Sequence, residues 1–332
     1  MPGPITHQIF YTQLKERLSG SVLSAMPNYD SYSVFAQGHD LLIYKDFYKI
    51  FSQKRLAENI RQSERMQEYS FQEFIYAYLK TARNLGVLER EQVRAFLGPG
   101  YIAHHILDAY THPFIIYQAG DHVRDPKRPT WKHGIVENYI DLFMLARESD
   151  FGFKKKKLVL PFTFSEKKLD CQLPVVLNIC MEEIYGFQDG GTAMCRALSQ
   201  IALFIRLFKY DPSGLKRFFF DLADPFLKGT ASFSYHRNTD KAREFLNEGH
   251  EIWCNPMDES LCSKESFFDL YNRALADSAR IIEKLEELCR SRKITKRAVF
   301  EIVPDIASTH GLRCGRKIEI RYTKERREGI QS

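Results

Sequence analysis

A chain of 332 residues that is 44% apolar and 27% charged has the composition of an ordinary globular protein, which excludes extended disorder and fibrous repeats. Its net charge of +6 permits an anionic partner without demanding one. The opening MPGPITHQIF has no basic stretch leading into an apolar run, and the most apolar stretch, 197–208, is short and broken by Gln200 and Arg206. Neither a secretory signal nor a transmembrane segment is therefore expected, and the expected location is cytoplasmic.

Ile5, Ile9, Leu14 and Leu18 recur at helical spacing and predict a helix over 5–18. Residues 26–46, rich in Pro, Asn, Asp, Ser and Gly without sustained periodicity, predict a long loop crossing the core face, and long ordered loops are often functional. Helical patterns return over 71–85 and 92–107, and KHGIVENYID predicts another helix around Val136. A second helical block follows the lysine run 154–157, with helices predicted over 175–185, 193–208 and 266–288. That run and the pair Lys167, Lys168 read as solvated loop faces. Phe218, Phe219, Phe220 and Phe226, at near-helical spacing, read as core, with contact at a membrane interface as the alternative. The basic segment 313–327 reads as a surface arm. These patterns divide the chain into a helical metal-site region (1–150), a helical remainder packed upon it (151–310) and a basic tail (311–332). The seven cysteines all lie beyond residue 170, are odd in number and lack C-x-x-C spacing, so reduced thiols are expected.

The chemistry concentrates in GYIAHHILDAYTHPF. His104, Asp108 and His112 follow one another at i, i+4 steps and share one helical stripe. His133 and Glu137 repeat that spacing on the next predicted helix, so two helices can converge on one cation. Imidazole and carboxylate without cysteine are the ligands of zinc that keeps a position open for water or substrate. A solvated helix face would explain one such pair; it explains two pairs and a further histidine inside apolar helices poorly. His105 lies three residues before Asp108 and is the alternative to His104.

In the order Thr6-His7, Gly38-His39-Asp40, His104 to Asp108, His112, and His133 to Glu137, these motifs resemble the zinc-dependent phospholipase C family. The resemblance implies an all-α, multi-helical fold shared with S1/P1-type nucleases, with additional C-terminal helices. It also implies one zinc on Asp40, His104 and Asp108, a second on His112, His133 and Glu137, and a third on His7 with Asp108 bridging. Asp40 would double as the catalytic carboxylate beside the attacking water.

The chain departs from that pattern at Gln67, which stands where the family has a histidine, so two or three ions are expected and one of them can be lost. Secreted relatives also use a processed amino-terminal amine, a part that Pro2 would take here after removal of Met1. His39 reads as a loop residue packed beside the site, although His39-Asp40 is also the dipeptide of another helical phosphohydrolase superfamily. Asp141, one turn beyond Glu137, reads equally as an orienting acid or a surface acid. The implied activity is hydrolysis of a phosphodiester or phospholipid, with peripheral membrane contact and no specific nucleic-acid partner. The rivals are a weakly active or non-catalytic zinc protein, another phosphodiesterase or nuclease on this fold, and a phosphohydrolase organised around His39-Asp40.

Overall fold

A helix that is apolar on every side must be covered on every side, and residues 103–119 fit that description. The computed structural model describes residues 3–46, 53–120, 131–150, 168–204, 215–223, 243–316, 319–321, 323 and 324. Within it the helix α7 (Ala103–Ala119) is buried at all positions except Tyr110 and Gln118. Around it lie α1 (Pro4–Leu14), α8 (Trp131–Asp150), α12 (Phe267–Arg290) and the strand β1 (Trp253–Asn255). A second layer contains α4 (Gln53–Glu68), α5 (Phe71–Asn84), α9 (Gln172–Tyr185) and α10 (Gly190–Phe204), with α5 packed on α9 and α9 on α10. The fold is all-α apart from a two-stranded hairpin among the described residues, and one hydrophobic core runs from Ile5 to Val303.

The helix starts follow local chemistry. Pro4 occupies the first turn of α1, where its missing N–H costs nothing. Ser266 and Asp269 form a reciprocal capping box at the start of α12.

Residues 26–46 are not the predicted loop. Tyr29–Asp40 winds into tight three-residue turns, with residues 32–40 all buried, and Leu41–Tyr44 forms the short helix α3. Polar and turn-forming residues correctly marked an irregular backbone but hid that its turns are internally bonded and face the core. The break falls at Gly38, with φ 48° and ψ −131°, a region open essentially to glycine. A Cβ there would also lie 2.7 Å from the His104 ring. Gly38→Ala is therefore expected to destabilise the protein by about 2–4 kcal/mol and to displace His104. Thermal unfolding and zinc binding measured on that variant check this; wild-type values for both would contradict it.

Three other expectations need correction, and one helix was not expected. Cys254 and Cys262 face each other across β1 and β2 (Asp258–Ser263) and are disulfide-bonded, so two of the seven thiols are not reduced. The hairpin turn juxtaposes them, which cysteine spacing alone does not reveal. On α11 (Leu215–Ala223), Phe218 and Phe219 are each 62% exposed rather than core; the side chains of Phe220 and Phe226 lie outside the described residues. The tail is not a free arm where it is described: Gly315 donates to the Glu68 carbonyl, Arg321 to that of Pro256, and Thr323 is buried. Polar α4 was not foreseen, since its apolar stripe is narrow. The lysine run 154–157 and residues 205–208 lie outside the described residues, among which no helix is long and apolar enough to cross a membrane.

Candidate metal centre

The stripe on α7 fixes the centre. His104 Nδ1 lies 2.8 Å from the Ala36 carbonyl oxygen, an acceptor only, so Nδ1 carries the proton and the Nε2 lone pair is left 3.1 Å from Asp108 Oδ2. On the other side of the same carboxylate, His7 Nε2 lies 3.1 Å from Oδ1, and the His7 and His104 rings stack with centroids 3.9 Å apart. The ligand atoms of His7, His104 and Asp108 lie within 4.8 Å of one another, as do those of His39, Asp40 and His104.

All five side chains are buried, Asp40 being the most exposed at 6%. Despite the short distances, neither oxygen of Asp108 nor Nε2 of His7 or His104 has an aligned hydrogen bond. Polar atoms buried without partners cost about 1–3 kcal/mol each, and more when charged. Divalent cations held between the carboxylate and the two imidazoles would satisfy all four atoms, so the donor set fits a metal.

The surrounding residues hold these side chains in place. Asp141, left open between two roles, is fully buried and caps α1: its Oδ1 accepts from the Thr6 backbone N–H at 2.9 Å and the Thr6 hydroxyl at 2.7 Å, and its Oδ2 from Ile5 N–H at 3.3 Å. It thereby ties α8 to the helix turn that carries His7. Asp40 Oδ1 receives Gln67 Nε2 at 3.2 Å, the Ser63 hydroxyl at 3.4 Å and His39 Nδ1 at 3.3 Å, while Oδ2 lies 3.9 Å from His104 Nε2. Gln67 thus turns a donor toward the carboxylate and steadies it. His105 is set apart: its ring stacks on Phe71 at 3.6 Å and its Nε2 donates to the Ile306 carbonyl, so it is no substitute for His104.

Beyond Asp108 the stripe reaches His112, whose Nε2 lies 3.1 Å from His133 Nε2; that atom in turn lies 2.8 Å from Glu137 Oε1. Two imidazole nitrogens bound to one zinc lie about 3.3 Å apart, so the histidine pair has the right separation. Among the described residues these three are joined in series through His133 and do not form one of the mutually close trios. The side chains of His133 and Glu137, 16% and 18% exposed, mark where the centre meets solvent. Met1 and Pro2, and with them the suggested amine ligand, lie outside the described residues.

Burial and the neighbouring His104 depress the pKa of His7, and burial holds His39 and His112 well below the ordinary imidazole value, so these rings are neutral and able to ligate near pH 7. Burial opposes charge on His104 too, but Asp108 and Asp40 overcome it and raise its pKa. Burial would likewise raise Asp108; His104 and His7 outweigh it and hold that carboxyl well below the usual range. Asp40 is pushed up to about 6, chiefly by burial. A raised pKa means that protons compete with metal at higher pH. Metal affinity is therefore expected to fall as pH drops, first as His104 takes up a proton above the ordinary imidazole range and then through about 6 as Asp40 does, by roughly tenfold per pH unit for each proton taken up. Competition with a chromophoric chelator from pH 8 to 5 tests this, and a flat profile would count against it.

One contributor carried no legible signal. The segment 306–312 packs against α7 beside the centre: Ser308 N–H donates to the Gln67 carbonyl, the Ser308 hydroxyl lies 3.3 Å from His39 Nε2, and Gly311 sits so close to the Ala109 carbonyl that a Cβ would fall 2.5 Å from its oxygen. His39 itself, expected beside the site, is inside it, with its Nε2 4.0 Å from Asp108 Oδ2. Set against protein-family models, curated proteins and solved structures, the chain matches none, so the reading of this centre rests on its own geometry.

Proposed function

We propose that this chain is a metal-dependent phosphodiester hydrolase of the phospholipase C type, built around zinc. The observation that carries the reading is the buried Asp108 carboxylate, flanked on each oxygen by an imidazole nitrogen with no aligned hydrogen bond among these four atoms. Asp108 would bridge two ions, one shared with His7 and one with His104 and Asp40; His112, His133 and Glu137 would hold another. Zinc in such a cluster lowers the pKa of bound water, binds phosphate oxygens and stabilises charge on the leaving oxygen.

The remaining work falls to side chains. Three donors pin Asp40 Oδ1, which leaves Oδ2 to the centre, where it would be the carboxylate oxygen beside the attacking water. His133 and Glu137 stand at the solvent edge, where a substrate phosphate would enter. A phospholipid fits the exposed stripe of Leu215, Phe218, Phe219 and Leu222 on α11, whose apolar side chains would rest on the lipid surface.

The test is chelator-sensitive hydrolysis of bis(p-nitrophenyl) phosphate and of phosphatidylcholine vesicles by zinc-loaded protein. Glu137→Gln should lower both turnovers about a hundredfold or more, because a neutral amide replaces an anionic ligand of equal volume, while leaving the fold largely intact. Absence of turnover in zinc-loaded protein would favour the second reading, a zinc-binding protein without catalysis. The observation behind that reading is Gln67, which offers its donor rather than a ligand at the family's histidine position.

A further inference from the structure

We propose that His39 is a metal ligand, supplying from the Gly38 turn the imidazole that position 67 lacks. The inference rests on the reading of this cluster as a metal centre and concerns which residue completes it. It replaces the expectation that an ion is lost because of Gln67.

Ligation needs an atom within reach, and two atoms bound to one zinc at about 2.1 Å lie about 3.4 Å apart in a tetrahedron and never more than about 4.2 Å. His39 Nε2 to Asp108 Oδ2 is 4.0 Å, His104 Nε2 to Asp40 Oδ2 is 3.9 Å, and His104 Nε2 to Asp108 Oδ2 is 3.1 Å. All three separations fall under that ceiling, and the longer two close with side-chain rotations of a few tenths of an ångström. The His39 ring stands edge-on to His104 with centroids 4.4 Å apart, as two rings turned toward a common point can be.

The other nitrogen supports the assignment. His39 Nδ1 lies 3.3 Å from Asp40 Oδ1, so its proton goes to a carboxylate and the Nε2 lone pair is directed inward. A ligating histidine usually has its second nitrogen held in this way. Gln67 could offer only an amide oxygen, a weaker zinc ligand than imidazole, and its amide nitrogen is turned toward Asp40 Oδ1 at 3.2 Å and Ser63 Oγ at 3.0 Å. The competing account is a core histidine satisfied by the Ser308 hydroxyl at 3.3 Å. That contact leaves unexplained the buried Asp108 Oδ2, which lies 4.0 Å from His39 Nε2 and has no hydrogen bond. Imidazoles with carboxylates suit zinc or a similar borderline divalent ion.

The experiment is anomalous diffraction at the zinc edge on crystals of full-length, zinc-loaded protein, with zinc counts for the wild type, His39→Gln and Gln67→Ala. The expected result is an ion about 2.1 Å from His39 Nε2, one zinc equivalent lost in His39→Gln and none lost in Gln67→Ala. An ion held by His104 and Asp108 with His39 still bonded to Ser308, or an equivalent lost in Gln67→Ala and kept in His39→Gln, would overturn the assignment while leaving the metal centre standing. No ion in the cluster would overturn both. If His39→Gln does not fold, the wild-type diffraction decides alone.

Discussion

Asp108→Asn is expected to abolish tight zinc binding between His7 and His104 and to lower the proposed phosphodiester turnover by about a thousandfold or more. The substitution keeps the volume and removes the negative charge that both imidazoles face at 3.1 Å. It also converts one oxygen into an N–H₂ donor, which cannot ligate. Folding without metal is expected to weaken as well, because His104 and His7 lose the carboxylate whose attraction outweighs its own burial, so the readout is the zinc-dependent change in melting temperature. Zinc should therefore raise the melting temperature of the wild type by more than that of the variant, which keeps only the ligands His112, His133 and Glu137. Equal zinc-induced stabilisation of the two proteins would remove Asp108 from the centre.

The second large effect is expected at a residue that touches no metal. Asp141→Ala strips the cap from α1, leaving the backbone N–H groups of Ile5 and Thr6 and the Thr6 hydroxyl without their buried acceptor. Loss of a helix cap costs about 0.5–2 kcal/mol, and each buried donor left unsatisfied about 1–3 kcal/mol. A total near 3–5 kcal/mol corresponds to a drop in melting temperature of roughly 5–10 °C. His7 follows Thr6 directly, so zinc affinity should fall as well. Asp141→Asn, which keeps one acceptor oxygen, should recover part of both. A melting temperature within about 1 °C of wild type for Asp141→Ala would show that α1 is held by its apolar packing alone.

The two residues differ in how legible they were. His104, Asp108 and His112 share a stripe because i, i+4 spacing is covalent geometry, and any helix through them must align them. His133 and Glu137 were legible for the same reason. Asp141 was visible only as one turn further on, since its partner Thr6 is 135 residues away and nothing local announces that pairing. Ser308, 269 residues from His39, carried no signal at all. Periodicity located the long helices, whereas the turns of 29–40 were missed because side-chain period says little about tightly wound backbone. The exposed Phe218 and Phe219 show the converse limit: helical spacing reveals that a stripe exists, not what covers it. Gln67 was recognised as a departure, but its hydrogen bond to Asp40 depends on how α4 packs beside the 29–40 turns, which no short-range pattern contains.

The central claim is that the side chains around Asp108 bind metal. Elemental analysis of the purified full-length protein after zinc loading and exhaustive dialysis, paired with thermal unfolding before and after chelation, addresses it most directly. The account predicts at least two zinc ions per chain and a melting temperature that falls on chelation and recovers when zinc is restored. A chain that retains no metal and unfolds at the same temperature with and without chelator would contradict it.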